Sequence, residues 1–145
     1  MRRSLFSFVV LLVTFAVATA QGSDSVWSAL VMANNRPEPT PIPAELTKLE
    51  GTLKQFFGYN QYQVIGQSRQ NLKTGEEDWM ASSKYFSLHV DSKGATAAGY
   101  LLGLQLFQEK KMLLETEAKL NKRSPLIIRG PQVGDGQLLL LLIVQ

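Results

Sequence analysis

The side chains that most often carry out catalysis are sparse in this chain, which has one histidine, His89, and no cysteine. A lone histidine without cysteine cannot complete a Cys/His zinc site or a Cys–His nucleophile pair. A hydrolase triad needs a serine presented on a G-x-S-x-G turn, and the sequence contains no such motif. We therefore expect no catalytic residues, no metal ligands, no cofactor and no enzyme activity. A small secreted hydrolase that uses His89 with a carboxylate is a less favoured alternative.

Two short motifs invite ligand hypotheses. The acidic stretch GEEDW, with Glu76, Glu77 and Asp78, lacks the spacing of a calcium loop. It predicts a solvated turn that places Trp79 inward. The glycine-rich stretch RGPQVGDG lacks the G-K-[ST] ending of a phosphate-binding loop, and a strand-like apolar run follows it. It predicts a hairpin loop.

The stretch FFGYNQYQ is the best candidate for a binding surface. Tyrosine and amide side chains suit adaptable polar recognition of a partner better than they suit catalysis. The two phenylalanines, Phe56 and Phe57, are instead expected to pack inside the protein. The residues predicted to bind a partner are Tyr59, Asn60, Gln61, Tyr62 and Gln63.

Residues 1–20 have the three-part layout of a secretory signal peptide. Arg2 and Arg3 precede an apolar run, and Ala18-Thr19-Ala20 matches an A-x-A cleavage site. The run is shorter than the ~20 residues that span a bilayer, so no membrane span is expected after cleavage. Loss of two arginines from a chain of net charge +3 leaves it nearly neutral, which disfavours nucleic acid as a partner. We expect an exported protein, periplasmic or secreted.

A single amphipathic helix is predicted within AELTKLEGTLKQFFG. Glu45 lies in the first turn and Gly58 is placed to end the helix. The preceding stretch RPEPTPIPAE alternates prolines, which favours an extended connector. The apolar residues that recur at helical spacing are Leu46, Leu49, Leu53, Phe56 and Phe57.

Outside the helix the apolar residues mostly recur with a period of two, which predicts strands. Runs that end at Gln108 and begin at Lys111 predict a hairpin. The final run, Leu138–Val144, does not alternate and is too short for a membrane helix. It predicts a strand covered on both faces, joined to a strand at 125–129 by a long loop.

These elements predict an α+β, mainly β fold. We expect an antiparallel sheet or sandwich of about six to seven strands with one amphipathic helix packed on it. The predicted organisation is a signal peptide at 1–20, a first strand and proline-rich connector at 21–43, and a single helix-plus-sheet domain at 44–145 that packs with 21–43.

Residues 113–145 resemble the strand, glycine-rich loop and strand at the end of secretin pore proteins. The matched motifs are common to hairpins, and the chain lacks the long multi-domain sequence of secretins, so the resemblance does not imply membership. One expectation that follows from the resemblance is an accessory role in a secretion or pilus machine.

The absence of cysteine and of N-x-S/T acceptors is more typical of a bacterial envelope protein than of a small secreted eukaryotic domain. The sequence therefore predicts an exported, non-catalytic binding or scaffold module of the bacterial cell envelope, with another envelope protein as its partner. The alternative is a carrier that holds a small apolar ligand between helix and sheet.

Overall fold

A computed structural model describes residues 24–145, so the predicted signal peptide lies outside the described residues. These residues form eight strands, a 3₁₀ helix and an α-helix. The 3₁₀ helix (Ala44–Leu49) leads directly into α1 (Glu50–Phe57). The strands are β1 (Asp24–Asn34), β2 (Gln61–Leu72), β3 (Asp78–Ser82), β4 (Phe86–Ala95), β5 (Gly99–Gln108), β6 (Lys111–Asn121), β7 (Leu126–Val133) and β8 (Gly136–Val144).

The strands form two antiparallel sheets of four. Sheet A has the order β2-β1-β8-β7, and sheet B has the order β3-β4-β5-β6. Within each sheet the consecutive strands pair, and β8 also pairs with β1. Strands β2 and β3, and strands β6 and β7, lie in different sheets and contact each other at corners without backbone pairing. The fold is therefore an up-and-down arrangement flattened into a sandwich. The mainly β, antiparallel prediction is confirmed in this form, and the predicted number of strands is too low.

The strand missing from the prediction is β3, which begins at the end of the acidic stretch that predicted a turn. Trp79 and Ala81 face the core, while Asp78, Met80 and Ser82 are exposed. The inward position of Trp79 is confirmed. A strand with two inward residues gives too short an alternation to stand out beside three consecutive carboxylates.

Strand β8 is buried on both faces, as its unbroken apolar run predicted. Leu138, Leu140 and Leu142 belong to the core between the sheets, whereas Leu139 and Leu141 belong to a second core beneath the helices. None of the five leucines is exposed to solvent. Full burial of a leucine stabilises a fold by about 1.5–3 kcal/mol, so this strand is a main source of stability.

The helical segment covers the outer face of sheet A. Leu46, Leu49 and Leu53 are buried against that sheet, and Gly58 ends α1 in the left-handed conformation, with φ of 71°. The predicted helix forms, but the α-helix is shorter than predicted, since the first six residues are 3₁₀. Phe56 was predicted to pack inside, and this is wrong, since it is 66% exposed. Phe57 is partly buried and packs against the core beneath the helices.

Both predicted hairpins form, but one has a different loop. The β5–β6 turn consists of Glu109 and Lys110, in line with the prediction. The β7–β8 turn is also short, Gly134 and Asp135, and the predicted long loop is wrong. Gly130 and Pro131 form a bulge inside β7, where the buried amide of Gln137 donates hydrogen bonds to Gly130 O at 2.6 Å and Pro131 O at 3.3 Å.

A second bulge explains an irregular position in β2. Leu30 pairs with Gly66 and Val31 pairs with Val64, which leaves Ile65 as the extra residue. Ile65 can therefore pack on the core between the sheets although its neighbours alternate out of phase with it.

Among the described residues, neither helix is long and apolar enough to cross a membrane.

Candidate functional site

The outer face of sheet B is the large sheet surface that no helix covers. We call it the open face; it carries the outward side chains of β3 to β6. Inward residues such as Leu88, Leu104 and Leu106 are buried in the core. Outward residues alternate with them and lie at least partly in solvent: Asp78, Met80, His89, Asp91, Gln105, Glu115 and Glu117. The packed sheet thus presents a mainly polar surface, with Met80, Leu101 and Phe107 as apolar members, whose side chains are held in fixed register.

A row of polar contacts crosses all four strands of the open face. His89 Nε2 lies 3.8 Å from Asp78 Oδ2, and His89 Nδ1 lies 3.4 Å from Gln105 Oε1. The amide of Gln105 donates to Glu115 Oε2 at 3.2 Å. The two contacts of His89 in this row are thus with a carboxylate and an amide. Neither is the hydroxyl that a histidine base would activate in an acyl-transfer site.

A shallow groove runs beside this row, where β5 carries a glycine. Gly103 pairs with Asp91 on one side and with Glu117 on the other, so two carboxylates flank a position that has no side chain. The groove has a volume of about 270 Å³ and is lined also by His89, Gln105 and Glu115. Three of its lining side chains are carboxylates, Asp91, Glu115 and Glu117, and one is a lysine, Lys93.

A bulge in β4 sends a lysine across the groove. Ser92 pairs with Leu102 and Gly94 pairs with Leu101, which leaves Lys93 as the extra residue. Lys93 Nζ donates to Glu117 Oε1 at 2.9 Å, and this hydrogen bond raises the pKa of the lysine. A Cβ on Gly103 would lie 3.1 Å from Lys93 Cε. The absence of a side chain at Gly103 therefore leaves space for the aliphatic part of Lys93. The ammonium group in the groove is that of Lys93.

The residues predicted from the sequence to bind a partner lie elsewhere, at the start of β2. Tyr62 is buried; its hydroxyl donates to Leu53 O at 2.8 Å and accepts from Tyr59 N at 3.3 Å. Burial raises the pKa of Tyr62. Gln61 is also buried, and its side-chain oxygen accepts a hydrogen bond from Thr40 N at 3.0 Å. These two side chains hold the helix and the connector in place.

The other three predicted residues are nearer the surface. Asn60 is exposed but accepts from Arg36 N at 2.8 Å and donates to Arg36 O at 2.9 Å. Tyr59 is half-buried and Gln63 is exposed. The five residues are therefore together in space, and much of their hydrogen-bonding capacity is used inside the chain. Their role in binding a partner stays a prediction.

The acidic stretch GEEDW begins in the turn before β3 and ends inside that strand, and Glu77 closes the turn. Glu77 Oε1 accepts from the backbone N of Lys73 at 2.7 Å, of Thr74 at 2.6 Å and of Gly75 at 3.2 Å. These bonds, that from Thr74 first, lower the pKa of Glu77. Within residues 24–145 no cluster of His, Asp and Glu has the geometry to hold a metal ion.

A polar cluster that the sequence analysis missed ties the two sheets together at one end. The hydroxyl of Tyr100 donates to Asp24 Oδ2 at 2.5 Å, and Lys122 Nζ lies 3.0 Å from the same oxygen. The hydrogen bond from Tyr100 is the main cause of a lowered pKa at Asp24. Burial, followed by the bond to Asp24, raises the pKa of Tyr100 to about 12. The cluster joins residues far apart in sequence, so no local pattern signals it.

Comparison with known proteins gives no match: no protein-family model, curated protein or solved structure is significantly similar to the chain.

Proposed function

We propose that this protein is an exported, non-catalytic binding module of the bacterial cell envelope, and that its open face holds a basic segment of a partner protein. The observation that carries the proposal is the acidic groove across Gly103. Four carboxylates project from the open face, at Asp78, Asp91, Glu115 and Glu117, against two lysines, Lys93 and Lys119. One of those lysines is already paired with Glu117.

The groove suits a cationic side chain for two reasons. Glu115 and Glu117 are two residues apart on one strand, and a strand repeats its outward positions about every 7 Å. A partner strand with lysines or arginines at alternate positions would have the same repeat. Lys93 also shows that an ammonium group fits over Gly103 beside a carboxylate. Charge complementarity of this kind favours selective, fast association more than high affinity.

The ligand-carrier alternative has less support from the geometry. The space between the helices and sheet A, where an apolar ligand would lie, is filled by Leu46, Leu49 and Leu53. Grooves beside it, of about 240 and 510 Å³, are lined by polar as well as apolar residues. The hydrolase alternative would be tested by His89→Ala, since an activity that survives this change cannot depend on the histidine.

The test is a crosslinking pull-down of the tagged mature chain from its native envelope, read by mass spectrometry. The unmodified chain is compared with Asp91→Asn/Glu115→Gln/Glu117→Gln, which neutralises the groove. The matched control is Glu38→Asn/Glu45→Gln/Glu76→Gln, which removes three exposed carboxylates elsewhere.

A near-stoichiometric protein partner that is retained by the control and lost by the groove variant supports the proposal. Equal recovery by both variants removes the groove as the binding surface. Recovery of the chain with co-purified lipid and no protein would favour the ligand carrier.

A further inference from the structure

A second surface, at one end of sheet B, differs in composition from the open face. The β3–β4 turn contributes Lys84 and Tyr85, and the β5–β6 turn region contributes Lys110, Lys111 and Met112. We call these five residues the lysine tip. The two turns are joined by a hydrogen bond from Glu109 N to Tyr85 O at 2.9 Å. Because this bond is between backbone atoms, the two turns form one surface whatever their side chains are.

The lysine tip combines exposed positive charge with exposed apolar surface. Tyr85 is 52% exposed and Met112 is 44% exposed, and both are among the few large hydrophobic side chains that the described residues leave in solvent. Lys84 Nζ lies 5.2 Å from the centre of the Tyr85 ring. None of the three lysines forms an ion pair within the part of the chain that the structure describes. The single acidic side chain in these turns is Glu109.

We propose that the lysine tip docks the protein on an anionic lipid surface. Exposed lysines near such a surface are attracted by about 1 kcal/mol each. Tyrosine has an apolar ring and a polar hydroxyl that suit the level of the lipid headgroups, and the exposed Met112 adds apolar area. Turns that combine exposed lysines with exposed apolar side chains fit a flat charged surface, whereas an acidic peptide would be better held by a groove.

Docking at the lysine tip is independent of the open face. The tip lies at the turns, and the acidic groove lies on the sheet between β4 and β6. A membrane bound at the turns would orient sheet B with its strands pointing away from the lipid, so the groove would stay accessible to a protein partner. Binding through three lysines is expected to be weak and reversible.

The first test is co-sedimentation of the mature chain, residues 21–145, with vesicles of phosphatidylcholine alone or mixed equally with phosphatidylglycerol. The unmodified chain should partition onto the anionic vesicles alone, and added salt should release it. Lys84→Gln/Lys110→Gln/Lys111→Gln should reduce partitioning roughly 100-fold. The control Lys48→Gln/Lys73→Gln/Lys119→Gln makes the same charge change at exposed positions elsewhere, and should partition like the unmodified chain.

A second variant keeps the charge and guards against misfolding. Lys84→Arg/Lys110→Arg/Lys111→Arg should bind anionic vesicles as the unmodified chain does. Failure of the unmodified chain to bind, or equal loss in the tip and control variants, overturns the proposal.

The third measurement reports contact with lipid directly. In Tyr85→Trp the new indole should show a blue-shifted emission on anionic vesicles, while Trp27 and Trp79 are buried and contribute a constant background. Sedimentation without this shift would overturn the tip as the contact. Binding to soluble polyglutamate as tight as to the vesicles, again without the shift, would assign the tip to an acidic protein partner instead.

Discussion

The outer faces of the two sheets differ in their exposure to solvent. The outer face of sheet A lies beneath the 3₁₀ helix and α1, so its central strands β1 and β8 are buried on both sides. The outer face of sheet B is open to solvent, and its strands alternate buried apolar residues with more exposed ones, many of them polar. Sheet A therefore contributes mainly to the stability of the fold. The second has a free surface, which is where a binding function can be placed without exposing the core.

Replacing a leucine of β8 should have the largest effect on stability and should show that both faces of sheet A are packed. Leu140→Ala opens the core between the sheets, and Leu141→Ala opens the core under the helices. Each should lower the free energy of unfolding by about 2–5 kcal/mol. Chemical denaturation would measure this, with Gln105→Ala on the open face as a control expected to change it by less than about 0.5 kcal/mol. A Leu141→Ala cost as small as the control would mean that the helices do not cover sheet A.

The corner between β2 and β3 should be the next most sensitive place. A Cβ on Gly66 would lie 2.4 Å from Ser82 O, a backbone atom that cannot move aside. Gly66→Ala should therefore destabilise the protein by about 1–3 kcal/mol. Gly51→Ala, in α1 with no atom within 4 Å of the new Cβ, should instead stabilise it by up to about 1 kcal/mol. Equal signs for the two changes in thermal unfolding would refute the close approach at this corner.

A buried hydrogen bond between the sheets should have an intermediate effect. Trp79 Nε1 donates to Ser28 Oγ at 2.9 Å, across the core. Ser28→Ala leaves the indole without that acceptor and should lower the free energy of unfolding by about 1–3 kcal/mol. The exposed Ser82→Ala is the control. If urea unfolding gave the same midpoint for both variants, the bond would not help to hold the sheets together.

The smallest expected effect is at Asp24 and Tyr100. The lowered pKa of Asp24 means that its contribution is present above the unfolded value of 3.8 and is lost as the pH falls through the folded value. The raised pKa of Tyr100 means that its contribution is present below about pH 10 and is lost as the pH rises through about 12. Asp24→Asn should cost about 1 kcal/mol at neutral pH.

The same substitution should lower the pKa of Tyr100, because it removes the carboxylate that holds the phenol proton. Phenolate absorbance, corrected with Tyr100→Phe, would measure the change. An unchanged phenol titration would show that the cluster does not form.

The sequence predicted the parts of this fold that depend on local pattern. The unbroken run of β8 indicated double burial, and the turn at Glu109 and Gly58 at the end of α1 were placed correctly. The bulges at Ile65 and Lys93 were not predictable, because a bulge is defined by the partner strand. The open face was missed for the same reason: His89, Gln105 and Glu115 form a row only once three strands are in register. The composition of the polar stretch Tyr59–Gln63 led to the prediction that it binds a partner. In the structure, the side chains of Tyr62 and Gln61 instead form hydrogen bonds within their own chain.

The pairing of β1 with β8 also has a consequence for how the chain folds. Sheet B consists of hairpins between consecutive strands, which close short loops and form early. The centre of sheet A cannot form before β8 pairs with β1, because β8 is the second neighbour of β1. Until then the core between the sheets and the core beneath the helices both lack the leucines of β8. Leu140→Ala should therefore speed unfolding and leave the refolding rate nearly unchanged, and a slowed refolding rate would place the β1–β8 pairing in the folding nucleus.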